Sequence, residues 1–298
     1  MSINIPTHYA EQFSTNVALL QQQKGSKLQN FVTHGNYVGS QASPVDQIGS
    51  VEAQEVTSRF APMGRVDAPT DRRWLFPRDF DLPQQIDSFD KLRLLTDPES
   101  QYVQNAVYAM GRKKDTLIIQ AFQGTAKTGV QGATSTSFTA ANEIDVAVGG
   151  ANSRLNVEKL RAVRELILAN HIDMDEDPCY VGLTAKDDRA LLSEIEIISR
   201  DFAGADRPVL RDGKLEKFLN LNFVYCELIE SVGAGTNEVN IPVWARSGMH
   251  LGFWNDINTS ISVRHDLQGE PFQAYVKMSI GATRIDEKKV FNIESYRA

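Results

Sequence analysis

Cysteine is scarce. Cys179 and Cys226 are the only two in 298 residues, which excludes a disulfide framework and leaves buried, reduced thiols as the reading. Long apolar runs are missing too: none approaches the ~18 residues of a membrane-crossing helix, so no membrane partner is expected. The opening residues, MSINIPTHYAEQF, lack the basic and apolar regions of a secretion signal, and the expectation is a chain made in the cytosol. Positive charge is not in excess. With 31 Lys and Arg against 38 Asp and Glu, the net charge of −7 excludes a sequence-independent nucleic-acid binder, which needs a basic face to displace counterions. The five histidines (His8, His34, His171, His250, His265) show no metal-ligand spacing, and no Cys-x-x-Cys or Gly-x-Ser-x-Gly occurs. Lysine is absent between Lys27 and Lys91.

Some stretches imitate active-site motifs and fail on detail. Gly124-Thr-Ala-Lys127-Thr128 lacks the glycine directly before the lysine and follows a helix, where a phosphate-binding loop must follow a strand. Asp173-Met-Asp175-Glu-Asp177 opens like a calcium loop. Its sixth position is Pro178 where a turn glycine is required, and its twelfth is Thr184 where a bidentate Glu belongs. Glu194 and Glu196 read as a solvated face. Catalytic, cofactor and metal residues are therefore assigned to none, and the chain reads as no enzyme.

What is present is a long helix. From Leu95 to Gly124, Thr96 with Glu99 forms a capping-box pair and Pro98 sits in the first turn. Val103, Ala106, Val107, Met110, Leu117, Ile118, Ala121 and Phe122 then repeat at helical spacing. At about 1.5 Å per residue the element is roughly 40 Å long. Gly111 predicts a bend, Lys113 and Lys114 a polar midsection, and Gly124 an end with positive φ. Such a strut suggests a mechanical role.

Around it, residues Ile5 to Lys24 suggest a short amphipathic helix through Phe13, Val17 and Leu20. Gly25 to Gly49, with isolated Leu28, Phe31, Val32, Tyr37 and Val38, reads as an extended arm lying on another surface. Val51, Ala53, Glu55 and Thr57, Arg59 have strand-like spacing, broken by Pro62, Gly64, Pro69 and Pro77. Within this region Asp71-Arg72-Arg73-Trp74-Leu75-Phe76 sets cations beside large apolar side chains. Trp74 and Phe76 fit either a local core or, with Arg72 and Arg73, a protruding two-stranded loop that docks on a neighbour. Ser135–Thr139 and Ile144–Val148 predict a hairpin, Asn156 caps a helix to about His171, and Cys179–Leu183 is a buried strand. Thr184 with Asp187 starts a third helix, Asp212-Gly213 is a turn, and Leu219–Ile229 is strand-prone. Gln273–Ile285 and Lys289–Glu294 close the chain as alternating strands. Helices and antiparallel strands interleave without a βαβ rhythm, so the class is α+β.

Several phrases carry a resemblance over nearly the whole chain. They are Gln12-Phe13 with Asn16-Val17, Gln21-Gln-Gln-Lys-Gly-Ser26-Lys-Leu28, Asp71-Arg-Arg-Trp74, Asp90-Lys-Leu-Arg-Leu-Leu-Thr-Asp-Pro98, Gly111-Arg-Lys-Lys-Asp115 and Ile280-Gly-Ala-Thr-Arg284. In these words and in its order of parts, the chain resembles major capsid proteins of tailed bacteriophages with the Hong Kong 97-type fold, in the branch with a short N-terminal arm. The resemblance implies an arm over residues 1–47, an extended two-stranded loop over 48–87, and a peripheral domain with the spine helix over 88–151. It further implies an axial domain over 152–245 and peripheral return strands over 246–298. Arg72, Arg73, Trp74, Phe76, Phe13 and Phe31 become candidate inter-subunit contacts.

The implied function is self-assembly, through pentamers and hexamers, into the icosahedral or prolate head shell around a phage genome. The implied partners are further copies of the chain, a portal protein, possible separate scaffolding and decoration proteins, and double-stranded DNA facing the inner wall without sequence-specific binding. The implied place is the virion, after assembly in the bacterial host cytoplasm. Because the loop has no lysine, covalent crosslinking of the kind used by the fold's founding member is not expected. Only about twenty helical residues precede the arm, so a separate scaffold, or none, is expected. Trp74→Ala is expected to impair assembly and spare subunit folding. The alternative on the same fold is an encapsulin-like compartment around a cargo enzyme. An enzyme, from a different class, would need a pocket with convergent polar groups and a small oligomer.

Overall fold

The computed structural model describes residues 21–53, 55, 64–86, 99–150, 152–194, 215–231 and 237–297. Most of the predicted N-terminal helix, with Phe13, the capping residues Thr96 and Pro98, the pair Thr57 and Arg59, Glu196 and the Asp212-Gly213 turn lie outside them; the helix's last predicted residues, Gln21 to Lys24, are not helical. In chain order the elements are β1 (Thr33–Asn36), β2 (Asp46–Ile48), β3 (Thr70–Trp74), β4 (Arg78–Ile86) and α1 (Glu99–Gln123). β5 (Ala126–Thr128), β6 (Thr134–Thr136), β7 (Glu143–Ile144), α2 (Val157–Ala169), β8 (Cys179–Leu183) and α3 (Ala185–Leu191) follow. β9 (Lys217–Phe218), β10 (Leu221–Tyr225), β11 (Glu238–Ala245), β12 (Met249–Val263), β13 (Phe272–Arg284) and β14 (Val290–Tyr296) complete the chain. The class is α+β.

Two compact units are present. One comprises residues 1–25, 79–112 and 255–278; the other comprises 26–78, 113–254 and 279–298. In the first, the Arg112 guanidinium donates to Gln22 Oε1 at 2.7 Å and Gln22 Nε2 donates to Asn105, fastening the start of the arm to α1. Arg264 and Asp266 form an exposed ion pair between β12 and β13.

The second unit holds the main core. Its six-stranded sheet runs β7-β14-β11-β8-β10-β9, with β10 parallel to β8 and β11 antiparallel to both β8 and β14. Helix α2 covers this sheet with Leu160, Val163 and Ile167, which pack among Val181, Leu183, Ile241, Val243, Phe291 and Ile293. Asn156 caps α2 by accepting from Lys159 N at 2.9 Å, as its sequence predicts. Thr184 and Asp187 start α3, as predicted, and do so through a reciprocal capping box.

Some expectations are corrected. The stretches at 135–139 and 144–148 do not pair with each other: β6 pairs with β5, and β7 pairs in parallel with β14. The reversal from β5 into β6 is made earlier, where Gly129, Gln131 and Gly132 all take positive φ. Residues 51–53 form no strand. Helix α1 runs without interruption through Gly111, because Ala106, Met110, Leu117 and Ile118 on its inner face are buried and packing outweighs glycine's cost of about 1 kcal/mol. Its midsection is polar, as expected, and partly covered: Lys113 is exposed, while Lys114 and Asp115 are buried. Gly124 does not take positive φ; a Cβ there would lie 2.6 Å from Gln120 O, so close packing requires the glycine. Strands β11 and β12 were not anticipated. Pro242 interrupts the first as a pattern, and the outer half of the second is polar and exposed.

Candidate assembly interface

The second unit also contains a four-stranded sheet, β2-β3-β5-β6, whose β3 carries Arg72, Arg73 and Trp74. Strand alternation divides them. Arg72 is exposed; its Nη2 donates to Asp46 Oδ2 at 2.8 Å, and its guanidinium lies 5.8 Å from the Trp74 ring centre. That hydrogen bond holds the Asp46 carboxyl below its usual range. Trp74 Nε1 donates to Gly129 O at 2.6 Å. Arg73 faces inward, only 5% exposed, with Nη1 3.3 Å from Glu287 Oε1. Phe76 follows, partly exposed, and its ring rests so closely on Gly132 that a Cβ there would lie 2.9 Å from it. Beside Arg72 and Trp74 runs a groove of about 700 Å³, lined also by Asp46, Ile48, Gly129 and Val130. Ile48 is 75% and Val130 82% exposed.

Arg284, buried at the end of β13, ties this sheet to α1. Its Nη1 donates to the carbonyls of Phe122 at 2.8 Å, Ala121 at 3.3 Å and Gly124. Its Nε donates to Glu287 Oε2 at 2.9 Å. The last carbonyls of a helix have no intrahelical donors, and the helix dipole makes that end negative, so a guanidinium there both caps and neutralises it. Burial lowers the Arg284 pKa, and Glu287 counters the shift. Through Glu287 the cap reaches Arg73.

The arm is held along its own subunit. Asp115 in the middle of α1 accepts from Ser26 Oγ, from Lys27 N at 2.9 Å and from Leu28 N at 3.0 Å. Leu28 and Val32 are fully buried. Phe31 lies 4.9 Å, centre to centre, from Tyr180, and its carbonyl accepts from Trp244 Nε1 at 2.9 Å. Strand β1 then pairs in parallel with β12, setting Thr33 opposite His250. Thr33 Oγ1 donates to Met249 O at 2.7 Å, so it accepts from His250 Nδ1–H at 2.9 Å. The other nitrogen, Nε2, accepts from Tyr37 Oη at 2.8 Å. This is a neutral imidazole. Burial, with His34 nearby, pulls its pKa down to about 4.

Of the six candidate contacts, the structure brings Arg72, Arg73, Trp74 and Phe76 together on and just after β3. It sets Phe31 apart, on the arm, and Phe13 lies outside the described residues. Trp74 is engaged within its own subunit, so Trp74→Ala removes internal contacts and does not test docking cleanly. Sequence reasoning missed Asp115, Arg284, Glu287, His250 and Val130. Two of them end phrases already quoted, Gly111–Asp115 and Ile280–Arg284. Both cysteines are free and buried, and burial raises Cys179 to about 12 and Cys226 to about 11. In the imitations of active-site motifs, Lys127 Nζ donates to Ser135 Oγ at 2.8 Å, and Asp177 accepts from Ser247 and Lys289.

A chain start fastened along α1, a four-stranded sheet around β3 and a long helix capped from the end of β13 make up a fold that phage capsids share. The chain belongs to the phage capsid protein family, whose profile matches residues 5–296. Its fold is similar to the capsid of cyanophage P-SCSP1u, with a TM-score of 0.75 at 13% identity over 98% of this chain and 94% of that one. The cyanophage Pam1 capsid matches with a TM-score of 0.74 at 12% identity, covering 100% and 99%. Mycobacterium phage Che8 matches at 0.72 and 10% identity, covering 96% and 97%. Among curated proteins nothing matches. The chain is a major capsid protein of a phage head shell, a structural protein of the virion; the encapsulin-like alternative is not favoured.

Proposed function

We propose that copies of this chain join as pentamers and hexamers by seating an apolar segment of one copy in the Ile48–Val130 groove of the next. The observation that carries this is two aliphatic side chains, 75% and 82% exposed, on one groove beside Trp74 and Arg72. Exposed aliphatic residues gathered on one rim mark interaction sites, and Trp and Arg are their usual anchors. The arm over residues 1–47, the loop over 48–87, the peripheral parts over 88–151 and 246–298 and the axial part over 152–245 divide the work in this reading. Arg72 and Phe76 on the loop base are the contact residues of choice, and Phe13 and Phe31 those on the arm. The remaining partners are a portal protein, packaged double-stranded DNA at the acidic inner wall, and scaffolding or decoration proteins where the shell requires them. Assembly belongs to the host cytoplasm, without catalysis.

Val130→Asp tests this reading. Since Val130 is almost wholly exposed, the subunit should keep its circular dichroism and melting profile. Shell yield, measured by negative-stain microscopy and sedimentation with all assembly factors present, should fall at least tenfold. Undiminished yield would overturn the groove. With no lysine from residue 28 to 90, boiled shells should run as one band near 33.2 kDa, without a covalent ladder.

A further inference from the structure

We propose that the outer half of β12 pairs with β12 of a second copy, antiparallel and two-fold symmetric about Thr259. On one side β12 lies along β13; on the other, β1 covers only His250 to Phe253. Past that point β12 runs on to Val263, and among the described residues no strand lies on its open side. The direction of its hydrogen-bonding groups follows from both ends. Tyr37 N donates to Phe253 O at 2.8 Å, so Phe253 points to the β1 side; Arg264 N donates to Pro271 O at 3.0 Å, on the β13 side. Strand alternation between them aims the N–H and C=O of Asn255, Ile257, Thr259, Ile261 and Val263 at the open side.

Such an edge is a template for another strand, and proteins that keep one unpaired guard it with lysine or proline. Residues 255–263, NDINTSISV, contain neither, and Asp256 is their one charge. Asp256 Oδ1 accepts from Ile257 N at 2.8 Å, a local bond that pairing replaces. The stretch is its own complement. Pairing about Thr259 sets Ile257 opposite Ile261 and Thr259 opposite Thr259, β-branched against β-branched on one face. Asp256 falls opposite Ser262, away from its twin. Asn255 opposite Val263 ends the ladder, which fills the free edge from the end of β1 to the turn at Arg264 and displaces neither. Ile261 is 50% exposed and its neighbours from Asn258 to Ser262 are exposed, so the surface that pairing covers is open in the single subunit. The occupant is a second copy because phage capsid shells are built from many copies and the stretch matches itself in register. A two-fold contact of this kind joins copies that a head-to-tail groove contact does not.

Disulfide trapping in assembled shells tests the register. Directly opposed, hydrogen-bonded residues have Cα atoms about 5.5 Å apart, within the roughly 4.4–6.8 Å that a disulfide spans. Thr259→Cys shells treated with diamide should give, on a non-reducing gel, a reducible band at twice the 33.2 kDa of the chain, at least tenfold stronger than from Ser260→Cys shells. Cys179 and Cys226 are buried and common to both. In a second measurement, Thr259→Lys and Thr259→Glu, at an exposed position, should each keep the subunit's melting profile. With all assembly factors present, each alone should cut shell yield several-fold, because like charges then face each other across the two-fold axis. An equal mixture should recover yield, since Lys then faces Glu. A monomer band alone from Thr259→Cys, the result expected if a strand of a different protein takes the edge, overturns the pairing. So does an equal dimer band from Ser260→Cys, undiminished yield from the charged variants, or a loss that mixing fails to restore. These variants leave the Ile48–Val130 groove intact, so failure here does not bear on that reading.

Discussion

At the scale of single residues, Asp115 and His250 hold the arm by opposite means. Asp115 is a charge kept in place by donors: a hydroxyl and two backbone N–H groups converge on it from residues that have no helix or strand of their own to satisfy them. Hydrogen bonds to a buried carboxylate stabilise by roughly 1.5–3 kcal/mol each when measured singly, and removing the carboxylate strands the donors. Asp115→Ala should therefore lower subunit stability by about 3 kcal/mol, read as a reduced urea midpoint, and should speed tryptic cleavage at Lys24 and Lys27. Asp115→Asn keeps one acceptor oxygen and should recover part of the loss. His250 is held neutral instead. Its imidazole titrates at about 4 in the folded chain and near 6.5 when unfolded. Between those values the unfolded chain binds more protons, so stability is full above pH 6.5 and falls as the pH drops toward 4. The loss attributable to this group is about 3 kcal/mol at most. Denaturant midpoints taken from pH 7 to 4 should decline, and His250→Gln, which cannot be protonated there, should flatten that slope.

At the scale of elements, the end of α1 depends on a residue 160 positions further along the chain. Arg284 reaches three terminal carbonyls and Glu287 together because a planar guanidinium directs several donors in a fixed fork. A lysine supplies one ammonium and cannot span them. Arg284→Lys should cost about 3 kcal/mol, close to Arg284→Met, since either leaves Glu287 and the helix end without their donor. Equal urea midpoints for wild type and the lysine variant would show that charge alone suffices. The same element shows what a sequence reveals. Local features were legible: the caps at Asn156 and Thr184, the apolar spacing of Leu160, Val163 and Ile167, and the alternation of Ala274, Val276, Met278 and Ile280 in β13. Each is written within a few residues. The end of α1 was legible as a glycine, but the reason for that glycine was not, nor was the pairing of β7 with β14. Partners such as Arg284 with Phe122, or Asp115 with Leu28, are joined only by folding, and no local period encodes them. For the same reason Lys113 and Lys114 read as a polar midsection, and the burial of Lys114 and of Asp115 beside it shows only in the fold.

At the scale of the whole molecule, two forces act on any two copies that meet. Each carries a net charge of −7, so copies repel at long range. At short range, Ile48 and Val130 offer apolar surface whose burial stabilises by roughly 25 cal/mol per Å². Salt separates these terms. Raising the ionic strength from 0.01 to 0.1 M shortens the screening length from about 30 to about 10 Å, which removes repulsion between copies while leaving apolar burial intact. Shell formation should therefore become faster and begin at lower protein concentration as salt rises, and sulfate should promote it more than chloride at equal ionic strength, because excluded salts strengthen apolar burial. Light scattering across a salt series gives both onset and rate. The reverse result, shells that form at low salt and dissolve as it is raised, would mean that exposed ion pairs made by residues such as Arg72 hold the copies together. Arg72, paired with Asp46 in the isolated subunit, would then have to exchange that carboxylate for one on its neighbour, and Asp46→Asn would ease assembly. Under the apolar reading Asp46→Asn leaves the salt series unchanged, while Val130→Asp shifts its onset to higher protein concentration at every salt.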